Sequence, residues 1–391
     1  MQTNRPLRRV AICQRYLAHY RVAAMDELAA LLADRGYELR YFFSFFMGKP
    51  SSAPWQRKLF GIKREMKMGE VTEAAVLSPT LFWQLLRYRP DVLVLEDVSS
   101  LLNTTMAAAY GRIFRRPYLI WGLGRIPGKQ PSWPRRFLAP LISWLHRHAS
   151  GFICYSTWAQ KSYGVTGKPT FLALNACLPR PDSTAAARIK KAIAERTLSS
   201  VLRLISIGVL KRQKRYHVLL DAMALLQDSP VELDIIGDGP ERAALEQQAR
   251  LLRIDNRIRF RGALYEGTEK ESLLLGAQLG VLPGRGGLAI QEMLSYGVPV
   301  VSGVADGTEG DLIHDGETGY LLRGGPGAAD LAAAIRSYSA LTATDRERMS
   351  VAAFDFVAGH ANNELLAASI VNAIEQTDRA HAPLMAAGAT G

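Results

Sequence analysis

The stretch Pro283-Gly284-Arg285-Gly286-Gly287-Leu288-Ala289-Ile290-Gln291-Glu292-Met293, followed by Tyr296-Gly297-Val298-Pro299-Val300-Val301, decides how this chain is read. The apolar run Leu279 to Leu282 in front of it has the length of a buried strand. Glycines then turn the backbone, and a helical pattern starts at Leu288. The first turn of a helix points backbone N–H groups and the positive end of its dipole outward, so strand, glycine turn and helix in that order form an anion site. Glu292, further along the helix, offers a carboxylate to hydroxyl groups of the bound molecule. A lone glycine-rich turn serves any tight connection equally well, so the rest of the chain has to carry the reading.

The same alternation repeats on both sides. In the first half, strand patterns fall at Val10 to Cys13, Leu39 to Phe43, Val92 to Leu95, Tyr118 to Trp121 and Phe152 to Tyr155, with helical patterns between them. In the second half they fall at Leu202 to Ile207, Val231 to Ile236, Ile258 to Phe260, Leu279 to Leu282 and Pro299 to Ser302. Such alternation predicts parallel sheets covered on both faces. At 391 residues the chain is long for one core, so two doubly wound, Rossmann-like α/β domains are expected. The pattern breaks at Leu178-Pro179-Arg180-Pro181-Asp182-Ser183, where proline favours extended backbone. The predicted parts are residues 1–179, residues 184–361, a helix over 362–379 packing back, and a frayed Ala/Gly/Pro-rich tail at 380–391. Ligands of open α/β sheets bind at the carboxyl ends of the strands, which puts the expected active site in a cleft faced by both sheets.

Charge is unevenly placed. Residues 1–180 hold 26 Lys/Arg against 10 Asp/Glu, a net +16, whereas the whole chain carries +12. A basic half meets nucleic acid, anionic lipid or a polyanion. No zinc-finger spacing or RNA-binding aromatic signature is present, and the cations lie among Trp and Phe, which favours a membrane surface over nucleic acid. Arg57, Lys58, Lys63 and Arg64 beside Trp55 and Phe60, and Arg135 and Arg136 between Trp133 and Trp144, together with Arg125, form the expected acceptor or membrane face. Cys13, Cys154 and Cys177 sit apart in apolar segments and read as reduced core thiols. The start, Met1 to Arg9, is no signal peptide and leads into no 18-residue apolar span, so the chain is expected in the cytoplasm, peripheral on the inner face of the membrane.

Lys211-Arg212-Gln213-Lys214-Arg215 follows the strand that ends at Gly208 and precedes a helix. Cations at a carboxyl strand end neutralise a diphosphate; a solvated basic loop is the plainer reading. Gly237-Asp238-Gly239-Pro240 closes the next strand, with Pro240 suited to a first helical position.

In order, Ile207-Gly208 with Lys214, Ile236-Gly237-Asp238-Gly239-Pro240, Phe260-Arg261-Gly262, Glu292-Met293 with Gly297-Val298-Pro299-Val300-Val301, and Asp315-Gly316-Glu317-Thr318-Gly319 resemble the carboxyl-terminal domain of family-four glycosyltransferases, retaining enzymes of GT-B fold. More loosely, Gln14-Arg15-Tyr16 with His19-Tyr20-Arg21, Trp121-Gly122-Leu123-Gly124-Arg125 and Leu174-Asn175-Ala176 resemble a bacterial polysaccharide-assembly branch. The resemblance implies transfer of a sugar from a nucleotide sugar to a glycan or lipid-linked glycan, with no metal or other cofactor. It places Lys214 on the donor diphosphate, Glu292 on the ribose, and Gly286, Gly287 and Leu288 on the sugar or phosphate. Gly208, Gly237, Arg212 and Arg285 complete the expected donor site, and His19 is the expected contact for a sugar hydroxyl or a proton.

Three positions depart from the family pattern. The first glutamate of the paired-glutamate motif falls at Gly284, a phosphate-binding arginine at Val209, and a histidine after the Trp121 strand at Leu123. Lys211, Arg212 and Arg285 are the cations available to replace the missing charge. A catalytically silent GT-B partner of a glycan-assembly complex and a nucleotide-sugar epimerase of the same fold are the alternatives; the glycine at 284 weighs against the epimerase, which needs acidic groups at the sugar.

Overall fold

A computed structural model describes residues 7–48, 50–68, 71–97, 100–126, 137–265 and 267–387; for residues 64–68, 71–75 and 383–387 only the course of the backbone is described. The chain divides into two compact units, Met1–Pro179 with Asn363–Gly391, and Arg180–Asn362.

In the first unit, β1 (Arg8–Cys13), β3 (Tyr37–Phe43), β5 (Gln56–Lys58), β8 (Val92–Glu96), β9 (Tyr118–Gly122), β10 (Gly151–Cys154) and β11 (Thr170–Leu172) form a sheet in the order β11-β10-β9-β8-β1-β3-β5. Every neighbouring pair is parallel. The strands read as near-continuous apolar runs because both faces are covered: Ala11, Leu93, Leu95, Ile120 and Phe152 face one layer, Val10, Ile12, Val92, Val94 and Leu119 the other. A short parallel pair, β2 (Tyr16–Ala18) with β4 (Phe45–Met47), and an antiparallel pair, β6 (Ile62–Met68) with β7 (Val71–Leu77), escaped the sequence pattern.

The helix Asn363–Ala387 packs on this unit. Leu366, Ile370, Val371 and Ile374, at helical spacing, enter the core beside the helix Val22–Ala33. Asp378 accepts a hydrogen bond from the Tyr37 hydroxyl (2.9 Å), and a ring nitrogen of His381 lies 2.6 Å from the Arg115 carbonyl oxygen. The helix therefore runs well past Ala380, where a frayed tail was expected: alanine is the strongest helix former, and these contacts hold the segment in place.

In the second unit, β12 (Leu202–Ile207), β13 (Val231–Ile236), β14 (Ile258–Gly262), β15 (Leu279–Leu282), β16 (Val300–Gly303) and β17 (Gly319–Leu322) form an all-parallel sheet in the order β14-β13-β12-β15-β16-β17. Counted along the unit this is 3-2-1-4-5-6, the dinucleotide-fold order whose direction reverses between the first and fourth strands. Among the described residues no helix is long and apolar enough to cross a membrane.

Candidate functional site

The reversal in the second unit falls between β12 and β15, so the crevice outside their carboxyl ends is the place for a ligand. Two loops frame it. The loop after β12 starts at Gly208 and is fixed from the side: a Cβ at Gly237 would stand 1.9 Å from the Gly208 carbonyl oxygen, so these two strand ends meet only as glycines. Asp238 then accepts from the Leu210 N–H through its backbone (3.0 Å), and Gly237 donates to Gly262 (2.7 Å). Gly237-Asp238-Gly239-Pro240 thus shapes the loop beside it.

The loop continues through a 3-10 turn, Arg212–Lys214, to Arg215, whose backbone is left-handed (φ 57°). Arg215 donates to the Pro283 carbonyl (3.4 Å), and the Lys214 ammonium donates to the carbonyls of Arg285 and Gly286, the latter at 3.4 Å. These contacts bind it to the second loop, Pro283–Gly287. A Cβ at position 284 would lie 2.5 Å from the Gln213 carbonyl oxygen and 2.9 Å from that of Lys214. The two loops lie backbone against backbone because position 284, where the family pattern has glutamate, carries no side chain.

Lys214 is mostly buried, and burial lowers its pKa below the usual lysine value; the Asp306 carboxylate opposes this, Arg285 adds to it, and Glu309 opposes it. Asp306 stands in the loop after β16, and Glu309 opens the short helix Glu309–Leu312 that follows it. Glu309 is fully buried and accepts from the N–H groups of Asp306 and Gly307 (2.9 Å from Gly307). Burial and the neighbouring Asp306 raise its pKa. Asp306 accepts from the N–H and hydroxyl of Thr308, at 3.2 and 2.6 Å. Lys211 and Arg212, next to Lys214 in the chain, and Arg285 in the second loop are exposed, and Val209 is 51% exposed.

Gly287 (φ 61°) opens the helix Leu288–Ser295. Ile290, Gln291, Met293 and Leu294 face inward, which turns Glu292 outward. Glu292 is not alone. Its Oε1 lies 2.5 Å from the Lys270 ammonium, with the two side chains 17% and 11% exposed. Lys270 also donates to the Tyr265 carbonyl (3.2 Å) and belongs to the helix Thr268–Gly276. The ends of both helices are held by one buried guanidinium. Arg196 donates to the carbonyls of Leu274, Leu275 and Tyr296 at 3.3, 3.1 and 3.1 Å, and to that of Gly297. A cation there meets the negative ends of two helix dipoles. Burial pushes its pKa down to about 10.

Asp315 to Gly319 and Arg261 serve the fold. Asp315 accepts from the Leu321 N–H (3.0 Å), Thr318 bridges the His314 N–H and the Leu312 carbonyl, and Arg261 pairs with Asp234 (2.6 Å).

In the first unit the corresponding reversal lies between β1 and β8. There the Arg15 N–H donates to Glu96 (2.9 Å). Arg21 is buried, donates to Asn175 (2.7 Å), and lies over the rings of Trp121 (5.0 Å) and Tyr155 (5.2 Å). His19 opens the 3-10 turn His19–Arg21 that Arg21 closes; its Nδ1 lies 3.1 Å from the Met47 carbonyl oxygen, to which it donates. A polar cluster that the sequence did not reveal joins Asp97 to His146 (3.0 Å) and to the Tyr163 hydroxyl (2.5 Å), beside Gly122.

The expected acceptor or membrane face resolves unevenly. Arg57 and Lys58 lie on the edge strand β5, and Lys63 and Arg125 are exposed. Of Arg64 only the backbone in β6 is described, and Arg135 and Arg136 lie outside the described residues. Trp55, counted with the surface aromatics, is instead buried, its indole N–H donating to Asp26 (2.7 Å). Its ring packs against Tyr41 within the core, where apolar area is best buried.

Residues 190–355 match the family described as glycosyl transferases group 1. A 134-residue stretch is 31% identical to N-acetyl-alpha-D-glucosaminyl L-malate synthase of Bacillus anthracis, covering 33% of this chain and 34% of that protein. Among solved structures, HepE of Anabaena in complex with UDP superposes with a TM-score of 0.68 at 16% identity, over 95% of this chain and 100% of that one. WaaG, a glycosyltransferase involved in lipopolysaccharide biosynthesis, superposes at 0.62 and 13% identity over 93% and 99%. The match to the group 1 glycosyl transferases thus covers residues 190–355, within a protein of GT-B fold built from two Rossmann-like units.

Proposed function

We propose that the protein transfers a sugar from a nucleotide-sugar donor to a glycan or lipid-linked glycan in cell-surface polysaccharide assembly, retaining the anomeric configuration. The observation that carries this reading is the convergence of Lys214 and the Pro283–Gly287 loop at the reversal point of the second sheet. HepE, of the same fold, has been solved with UDP, with UDP and glucose, and with UDP-glucose, so UDP-glucose is the first donor to test.

In this reading the diphosphate replaces the Arg285 and Gly286 carbonyls on the Lys214 ammonium, with Arg212 and Arg285 adding positive charge at the rim and Gly286 to Leu288 offering the helix N-terminus. Glu292 accepts from the ribose hydroxyls. The bond from the anomeric carbon to the leaving phosphate oxygen breaks. The acceptor oxygen bonds to that carbon on the same face, and its proton passes to the departing phosphate, so no protein nucleophile and no resident metal ion take part. His19 contacts the acceptor sugar, and the chain works in the cytoplasm, on an anionic membrane surface that Arg57, Lys58, Lys63 and Arg125 help to engage.

The test is a thermal-shift screen with UDP-, GDP- and ADP-linked sugars, followed by product analysis with the sugar that raises the melting temperature. Stabilisation lost in Lys214→Ala and in Glu292→Gln, with an axial or equatorial product matching the donor, supports the reading. Binding of a donor without hydrolysis or transfer to any glycan acceptor would favour a silent partner, and the absence of any shift would remove the donor site.

A further inference from the structure

Away from the donor loops, the first unit carries a basic cavity of about 350 Å³ lined by Arg9, Arg40, Arg57, Arg87, Glu38 and Tyr88, with Phe42 and Gln84. Strand geometry explains it. Successive residues of a strand face opposite sides, so Glu38, Arg40 and Phe42 share one face of β3. In register, Arg9 of β1 lies beside Glu38 and Arg57 of β5 beside Phe42. The helix Leu81–Tyr88 supplies the remaining wall with Arg87 and Tyr88.

The guanidinium groups of Arg40 and Arg9 stand 4.5 and 5.8 Å from the Tyr88 ring centre, and both reach Glu38, at 2.8 and 3.8 Å. One carboxylate thus shares the cavity with four guanidinium groups, of which those of Arg9, Arg57 and Arg87 belong to exposed residues. Guanidinium groups match phosphate oxygens in paired hydrogen bonds. Next to the cationic residues in the chain stand apolar side chains turned to solvent: Trp83, one helical turn before Arg87, is 70% exposed, and Phe60 is 69% exposed.

We propose that this cavity receives the phosphate of an anionic phospholipid headgroup, with Trp83 and Phe60 entering the interfacial layer of the bilayer. This deepens the membrane association stated above and rests on it. A surplus of positive charge over a cavity of headgroup size gives the charge complementarity, and exposed aromatics of this kind are the usual interfacial anchors.

The experiment is co-sedimentation of the full chain with vesicles of phosphatidylcholine alone and of phosphatidylcholine with 30% phosphatidylglycerol, an amount chosen as about that of an anionic leaflet. Wild type is expected to sediment with the anionic vesicles only. Arg57→Gln with Arg87→Gln is expected to lower that partition at least tenfold, while Arg112→Gln with Lys161→Gln, which removes equal charge from exposed positions elsewhere on the unit, retains it. Trp83→Ser, a second variant that leaves every guanidinium in place, is expected to lower it as well. Unchanged melting temperatures show that the variants fold. Equal losses in both arginine and control pairs would mean diffuse attraction and overturn the cavity while leaving membrane association intact; no sedimentation of wild type would overturn both. Glycerol 3-phosphate protecting the cavity from arginine-directed labelling, without any vesicle binding, would make it a site for soluble phosphate and overturn the lipid assignment.

Discussion

Gly284 meets the Gln213–Lys214 backbone directly, with no room for a side chain at position 284: a Cβ there would stand 2.9 Å from the Lys214 carbonyl oxygen and 2.5 Å from that of Gln213. The missing glutamate is therefore built into the packing. Gly284→Ala is expected to push the Gln213–Arg215 turn outward, weakening donor binding on the order of tenfold and destabilising the unit by about 1–3 kcal/mol through overpacking. Gly284→Glu, which restores the family residue, is expected to lower activity further. Donor titrations and thermal melts of both variants check this; a gain of activity in Gly284→Glu would refute it.

Lys270 holds the Glu292 carboxylate at 2.5 Å in a site where both side chains are largely covered. Removing one member of such a pair leaves the other charge without compensation, at a cost of about 3–5 kcal/mol. Lys270→Met should raise the donor KM more than it lowers kcat, because it disorders a binding carboxylate and leaves Lys214 alone. Lys270→Arg should recover part of the loss. A double-mutant cycle with Glu292→Gln isolates the coupling, and additive effects would show that the pair is incidental.

Arg196 reaches four carbonyls at the ends of the two helices that bear Lys270 and Glu292. Arg196→Met fills much of the volume but leaves these carbonyls without their donor, a loss of about 3 kcal/mol or more given that bonds to a charged group are each worth about 1.5–3 kcal/mol. The melting temperature of the second unit should fall by several degrees, and the donor KM should rise because both helix ends loosen. A stable variant with wild-type KM would remove the clamp from the argument.

Much of this architecture is legible in the chain. The strands at Leu202, Val231 and Leu279, and the helix starting at Leu288, begin where the apolar runs and glycine turns put them, because buried parallel strands need continuous apolar sequence. What the pattern hides is of two kinds. Short edge pieces such as β5 (Gln56–Lys58) carry no apolar run, and the helix Ser183–Thr197 starts inside the proline-rich stretch read as linker, although Asp182 caps it by accepting from the Ala185 N–H (2.7 Å). The other kind is pairing at a distance. Lys270 with Glu292, Asp306 and Glu309 near Lys214, and Arg196 with carbonyls 78 to 101 residues away follow from how helices and loops pack, and no periodicity or motif marks them.

Lys214 also sets a pH dependence whose direction can be worked out. Its pKa in the folded protein lies below the ordinary lysine value because burial disfavours the ammonium, more than Asp306 and Glu309 favour it. Between that lowered value and the usual one, the folded chain binds fewer protons than the unfolded chain. The lysine's charge therefore costs stability below the folded pKa, and this cost disappears as pH rises through the window. Donor binding runs the other way, since a diphosphate needs the ammonium. Calorimetric titration with UDP from pH 7 to pH 10, a range that ends near the ordinary lysine pKa of about 10.4, is expected to show Kd rising with pH as Lys214 loses its proton. In Lys214→Arg, where the guanidinium stays charged throughout, the profile is expected to be flat. A parallel rise in both proteins would assign the titration to some other group and remove Lys214 from the diphosphate.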